Sequence, residues 1–147
     1  MRALAIQGWE TLRDLDNRLW LPGWLTRHVD LIFRVTLSLI FIIGGLGHFF
    51  GLNEMLARIA ESPWREQVEI IGDPTLLLWL SGAAFVVFGL LLMFGKLRRL
   101  SALILFVTLV PVTLAIHIAP GHVGPLFKNV AIFGALMLVY ARGIVVR

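Results

Sequence analysis

The chain contains no cysteine. That absence excludes disulfides, thiolate nucleophiles, cysteine-ligated zinc and iron–sulfur clusters from the chemistry of the chain by itself. Charged residues are scarce too, at 15% of the 147 residues, against about 25% in soluble domains. Hydrophobic residues make up 59%, and the mean hydropathy is +0.88. This composition excludes an ordinary soluble domain, and it excludes a disordered chain, which would need abundant charge.

The apolar residues are concentrated in four runs, each close to the roughly 20 residues that a helix needs to cross a bilayer. The runs cover residues 31–50, 74–95, 100–119 and 125–141. The connection over residues 95–99 is so short that the second and third helices must be antiparallel neighbours. The sequence therefore predicts an all-α fold, an integral membrane four-helix bundle over residues 31–147 that follows an N-terminal arm over residues 1–30.

The basic residues divide unequally between the two sides of such a bundle. Four spans place the N-terminus, the loop between the second and third spans, and the C-terminus on one side. That side carries ten lysines and arginines, and the other carries three, Arg58, Arg65 and Lys128. The positive-inside rule makes the richer side cytoplasmic, so we expect both termini in the cytoplasm. The net charge of +4 then indicates orientation rather than nucleic-acid binding.

The N-terminal arm has the pattern of an amphipathic helix. Its apolar residues recur at helical spacing and its polar residues fall on the opposite face: Trp9, Leu12, Leu15 and Leu19 against Glu10, Asp14 and Asn17. We expect the arm to lie along the cytoplasmic interface, with the indole rings of Trp20 and Trp24 at headgroup depth. The alternative is a helix that docks a partner protein.

The first external loop, residues 51–73, carries apolar residues in two short groups. Asn53 and Ser62-Pro63 are suitable starts for two short amphipathic helices. We expect a helical lid on the outer membrane surface, and a solvated connector is the alternative. At the start of the second span, Gly72-Asp73-Pro74 predicts a helix stop, an N-cap and a proline in the first helical turn.

Two features inside the spans carry structural expectations. Arg34 lies about one turn inside the first span, and we expect its side chain to extend back to the cytoplasmic interface. The glycines of residues 44–47 and the small residues between Ser81 and Gly89 predict close packing of helix against helix.

Polar residues meet at the outer end of the predicted bundle. His48 ends the first span, His117 ends the third, and His122 follows in a short loop; Lys128 and Asn129 lie in the first turn of the fourth span. Because ionisable groups at membrane depth are costly, this cluster is a candidate functional site. Histidines at helix ends also commonly form interfacial hydrogen bonds without binding a ligand, and that interpretation stays open.

These groups suit several ligands. Imidazole and ammonium can donate to the carbonyl oxygens of a quinone, or bind an oxyanion at the positive end of the fourth helix, and histidine can relay protons. The predicted cofactor-binding residues are His48, His117, Lys128 and Asn129, and no catalytic residue is assigned. Phenylalanines could form a groove for an isoprenoid tail: Phe41, Phe49, Phe85, Phe88, Phe127 and Phe133. A metal is less favoured, because proline and glycine keep His117 and His122 off one helical face. Haem bound through His48 and His117 is less favoured too, because only generic ligand chemistry supports it.

The last span contains the segment Leu126–Leu136, in which a Lys-Asn pair precedes apolar residues and a glycine. Four shorter features occur elsewhere in the chain: Arg34 with Gly45-Leu46-Gly47, the stretch Gly89–Gly95, the pair Arg98-Arg99, and His117. With these segments, residues 31–143 resemble the DoxX family of small four-helix bacterial membrane proteins. His48 departs from the pattern, because the family often has a lysine after the first-span glycines.

The resemblance implies a subunit or partner of a membrane redox system in the bacterial inner membrane. Family members include the membrane subunit of a thiosulfate:quinone oxidoreductase and a component of a complex linked to oxidative-stress defence. We therefore expect a quinone-linked redox subunit with its polar site at the outer face, in contact with the lipid bilayer and a protein partner. The alternative is a non-catalytic module that assembles or recruits partners. A transporter is disfavoured, because four spans are few and no inverted repeat is evident.

Overall fold

The computed structural model describes residues 10, 12–16, 18–19, 22–117 and 123–145, with only the backbone of 117, 123 and 143–145. The chain forms two compact units, residues 1–32 and 33–147. The helices are α1 (Gly23–Phe50), α2 (Leu52–Ala60), α3 (Arg65–Ile71), α4 (Pro74–Met93), α5 (Arg98–His117) and α6 (Val123–Val145).

The predicted all-helical membrane fold is confirmed. α1, α4, α5 and α6 are each long and apolar enough to cross a bilayer. α1 begins at Gly23 rather than at Leu31, because the mostly polar residues 26–30 continue the helix ahead of the apolar run. The protein is thus a multi-pass membrane protein whose apolar helix surfaces contact lipid. Its orientation in the membrane stays a prediction from the charge count.

α4 begins as its sequence predicts. The Asp73 carboxylate accepts a hydrogen bond from the Leu76 backbone N–H at 2.9 Å, and Pro74 is the first helical residue. The side chain satisfies one of the N–H groups that the first turn of a helix leaves without a partner.

Replacing Asp73 by alanine should therefore cost about 1 kcal/mol of bundle stability. Asp73→Asn is the matched control, because the amide oxygen can still accept from the Leu76 N–H and should retain most of that stability. Denaturant unfolding of both variants in detergent, followed by circular dichroism, measures the difference. Equal stability of the two variants would contradict the capping role.

α1 and α4 approach closely through glycines. A Cβ atom on Gly45 would lie 2.7 Å from the Gly82 carbonyl oxygen, and one on Gly82 would lie 2.9 Å from the Gly45 carbonyl oxygen. Gly89 faces Phe41 and Ile42 in the same way. The expected packing role is confirmed for Gly45, Gly82 and Gly89, because an added Cβ at each would crowd the facing helix. It is not confirmed for Gly44 and Gly47, where an added Cβ would meet no atom within 4 Å.

The interior of the bundle is formed by side chains from all four spans. Ring contact between Phe41 and Phe85 joins α1 to α4, with the centroids 5.3 Å apart. The ring of Phe106 on α5 lies 4.9 Å from that of Phe133 on α6. The buried core consists of Leu37, Phe41, Phe85, Leu92, Ala102, Leu105, Leu109, Ile132, Leu136 and Val139.

The side chain of Arg34 lies elsewhere than the sequence predicts. Its guanidinium does not extend into the interface but is buried, and it donates to the carbonyl oxygens of Met93 at 3.0 Å and Leu92 at 3.4 Å. These carbonyls lie in the last turn of α4, where the helix dipole is negative and acceptors lack helical partners. Arg34 therefore caps α4 across the α1–α4 contact.

The loop between α1 and α4 folds into two short helices, as predicted, but the helices start elsewhere than expected. α2 begins at Leu52, so Asn53 lies inside it, and α3 begins at Arg65, after Ser62-Pro63 and Trp64.

Ile59 of α2 and Ser62 in the connection are buried, and Ile59 packs in a small cluster with Leu78 and Ile116 at the ends of α4 and α5. This packing favours the lid over a solvated connector. α3 is more exposed, and Glu69 accepts a hydrogen bond from Arg65 that raises the pKa of that guanidinium.

The N-terminal arm is described only in part. Residues 12–16 are helical, and Leu12, Leu15 and Trp24 are more than half exposed. Trp9, Asn17 and Trp20 lie outside the described residues. The interfacial position of the arm therefore stays a prediction.

Candidate functional site

A cavity of about 230 Å³ lies inside the unit of residues 33–147. Three of the four predicted binding residues, His48, Lys128 and Asn129, line it, although α1 and α6 place them far apart in sequence. Arg58 from the lid helix α2 lines it as well. The remaining walls are apolar: Ile40, Phe41, Gly44, Met55, Phe85, Leu109, Val112, Ile116 and Ile132.

His48 is held in one orientation by α4. Its side chain is buried, and Nδ1 lies 2.9 Å from Ser81 Oγ and 3.2 Å from the Leu78 carbonyl oxygen. The Ser81 hydroxyl donates to that same carbonyl at 2.9 Å. Because a carbonyl only accepts, we assign the proton of the neutral ring to Nδ1. In the neutral ring, Nε2 is consequently an acceptor, and no partner for it is found among the described residues.

Asn129 is anchored in a parallel way by α5. Its side chain is buried, and Nδ2 donates to Thr113 Oγ1 at 2.9 Å. The Thr113 hydroxyl in turn donates to the Leu109 carbonyl oxygen at 2.7 Å. Since the single hydroxyl proton is used there, Thr113 can only accept from Asn129, and this determines which end of the amide faces it. The carbonyl oxygen Oδ1 is the end left for the cavity.

Two positively charged side chains, Lys128 and Arg58, also line the cavity. Lys128 is exposed, in the second turn of α6. The side chain of Arg58 is 33% exposed and pairs with Glu54 one turn earlier in α2. No acidic side chain lines the cavity in the part of the chain that the structure describes. The lining is therefore positive, and it carries donors as well as acceptors.

Sequence reasoning missed Arg58. The Glu54–Arg58 spacing is typical of an exposed helical ion pair, and such a pair does not indicate which neighbouring surface it faces. The packing of Ile59 onto α4 and α5 turns α2 so that Arg58 lines the cavity.

The phenylalanines predicted to form one groove lie in three different places in the structure. Phe41 and Phe85 line the cavity, and the Phe85 ring lies 5.5 Å from that of His48. Phe88 and Phe133 pack against the core instead. Phe49 and Phe127 are exposed on the surface of the bundle. The aromatic walls of the site thus come from one face of α1 and one face of α4.

The other predicted histidines cannot be placed at the site. His117 ends α5, but its side chain lies outside the description, and His122 lies outside the described residues altogether. Within the described ranges, no group of three or more His, Asp or Glu side chains is arranged to hold a metal ion.

A bundle of four apolar helices that encloses a largely apolar cavity with a few polar groups defines a small multi-pass membrane protein. The model of the DoxX family matches residues 29–118, more than half of the chain. The chain belongs to the DoxX family. The matched range ends before α6, so Lys128 and Asn129 lie beyond it. No curated protein and no solved structure matches the chain.

Proposed function

We propose that this DoxX protein is the membrane subunit of a redox system and that its cavity binds the headgroup of a quinone. The observation that carries the proposal is that His48 of the first span and Lys128 and Asn129 of the last span line one largely apolar cavity. Ligand sites of this kind combine apolar walls with a few well-placed polar groups.

The residues present fit a quinone headgroup. An apolar cavity of about 150 Å³ can hold a benzene ring, and this one is about 230 Å³. Phe41 and Phe85 supply aromatic walls for a flat ring, while Lys128 and Arg58 can donate to its oxygen atoms. A bound quinone would supply two-electron carrier chemistry in the membrane.

The chain's own part would be to bind and orient the headgroup. His48 and Asn129 are held by α4 and α5, so their cavity-facing atoms are preorganised. Lys128 and Arg58 can donate charge-assisted hydrogen bonds to ring oxygens. The electron donor would be a protein partner in the same membrane complex, and the charge asymmetry of the sequence favours an outer-face position for the site.

Binding of a short-chain quinone tests this function. Purified protein in mild detergent should bind decylubiquinone, and Arg58→Ala or Lys128→Ala should weaken binding at least about tenfold, since each removes a charge-assisted hydrogen bond worth about 1.4 kcal/mol or more. Lys96→Ala is the matched control, because Lys96 is an exposed lysine of the α4–α5 turn and should bind like the wild type. Equilibrium dialysis with chromatographic quantification of the quinone gives the dissociation constants.

Two results would count against the proposal: absence of quinone binding by the wild-type protein, or unchanged binding in both cavity variants. A folded chain that binds no quinone would favour the alternative of a non-catalytic module that assembles or recruits partners. The exposed leucines of the N-terminal arm, Leu12 and Leu15, are the observation that supports this alternative.

A further inference from the structure

We propose that the cavity prefers the reduced, hydroxyl-bearing form of its ligand, so that it is a quinol site more than a quinone site. This inference rests on the proposed function and adds the oxidation state of the ligand. It follows from which atoms of His48 and Asn129 remain available after their anchoring hydrogen bonds are made.

Both buried polar side chains direct a donor to a neighbouring helix. The Nδ1–H of His48 is directed to the Leu78 carbonyl and Ser81 Oγ, and one N–H of the Asn129 Nδ2 amide is directed to Thr113 Oγ1. In each case a hydroxyl group that donates to its own helix sets the direction of the bond. What the neutral imidazole has left is the Nε2 lone pair, and what the amide offers on its other side is the oxygen Oδ1.

These two acceptor atoms are accessible from the cavity. Within the described part of the chain, the only fully buried polar side-chain atom without a partner is Ser38 Oγ. Nε2 of His48 and Oδ1 of Asn129, for which no described residue is a partner, therefore keep some accessible surface. Both side chains are less than 5% exposed overall, so this surface belongs to the cavity that they line.

A quinone and a quinol differ in whether they can form hydrogen bonds with these two acceptor atoms. Quinone carbonyl oxygens only accept, so opposite Nε2 and Oδ1 they would leave buried polar atoms unpaired, which is costly. Quinol hydroxyls can donate to both atoms. Lys128 and Arg58 do not reverse this preference, because a hydroxyl oxygen that donates its proton can still accept a hydrogen bond from a cation.

The test compares two probes, decylubiquinol and decylubiquinone, under anaerobic conditions at about pH 8, where an imidazole of ordinary acidity is neutral. Wild-type protein should bind the quinol at least about tenfold more tightly, as expected for at least one buried hydrogen bond gained. Thr113→Val removes the hydroxyl that orients the Asn129 amide, so the amide can turn its NH2 group to the cavity. The preference should then fall towards unity.

Thr108→Val is the matched control, because it removes a half-buried threonine hydroxyl from the same helix outside the cavity lining. It should keep the wild-type ratio. Equal binding of both probes by the wild type, or tighter binding of the quinone, would overturn this inference and leave the proposed function standing. Binding of neither probe would overturn both. The wild-type ratio decides the matter even where Thr113→Val fails to fold.

Discussion

Replacing Gly82 by alanine is expected to destabilise the bundle by about 1–3 kcal/mol, the usual cost of overpacking a close contact. The added Cβ would lie 2.9 Å from both the Gly45 carbonyl oxygen and the His48 Cβ. Neither neighbour can yield cheaply, since one is helix backbone and the other begins a side chain that is held by hydrogen bonds to α4. α1 and α4 would have to separate, and His48 would move with α1.

Gly134→Ala is the control for this experiment. Gly134 is also a helical glycine, but it is exposed on α6, and an added Cβ there would meet no atom within 4 Å. Because alanine favours helix over glycine by up to about 1 kcal/mol, this variant should be neutral or slightly stabilised. Unfolding in sodium dodecyl sulfate, followed by circular dichroism, compares the two. Equal effects of both substitutions would show that the α1–α4 contact does not limit stability.

Replacing Arg34 by methionine is expected to cost about 2 kcal/mol, within the range for a hydrogen bond to a charged group. The C-terminus of α4 ends in a Schellman motif, in which the Lys96 N–H donates to the Leu91 carbonyl oxygen and Gly95 takes a positive φ of 71°. Arg34 adds a donor to the Met93 carbonyl oxygen in the same turn. Methionine fills much of the space but donates nothing, so this carbonyl loses its charged partner.

Hydrogen exchange separates this local effect from general unfolding. In Arg34→Met, the amides of residues 94–99 should exchange faster than in the wild type, because they form the turn that Arg34 supports. Arg142→Met is the control, since Arg142 is exposed in the last turn of α6. It should change neither global stability nor exchange in this turn. If these amides exchange at the wild-type rate in Arg34→Met, the backbone hydrogen bonds of the turn are enough to cap α4 and Arg34 does not contribute.

The position of Arg34 illustrates why side-chain roles are harder to predict than spans. An arginine one turn inside a span can reach the interface, and its sequence context contains nothing against that interpretation. The buried position follows from the α1–α4 contact, because the glycine pair Gly45 and Gly82 lets the helices approach closely. At that spacing, the carbonyls at the end of α4 come within reach of the guanidinium.

Only part of the candidate site could be predicted from the sequence. His48, Lys128 and Asn129 could be assigned to one end of the bundle, because span boundaries determine which helix ends share a side of the membrane. The partners Ser81 and Thr113 could not be assigned, because they depend on the rotation of α4 and α5 about their axes. Those partners decide which atoms the cavity presents, and hence which oxidation state of a ligand it would favour.

The sequence by itself determined the four spans, the short α4–α5 hairpin and the Asp73 cap of α4. These features depend on composition, length and residues within one turn of each other, all of which are local along the chain. Tertiary structure alone decided that Arg34 caps α4, that Arg58 joins the cavity, and that His48 and Asn129 are anchored through their donors. Each of these outcomes depends on how closely and at what rotation two helices pack, and helical spacing within a single segment does not specify either quantity.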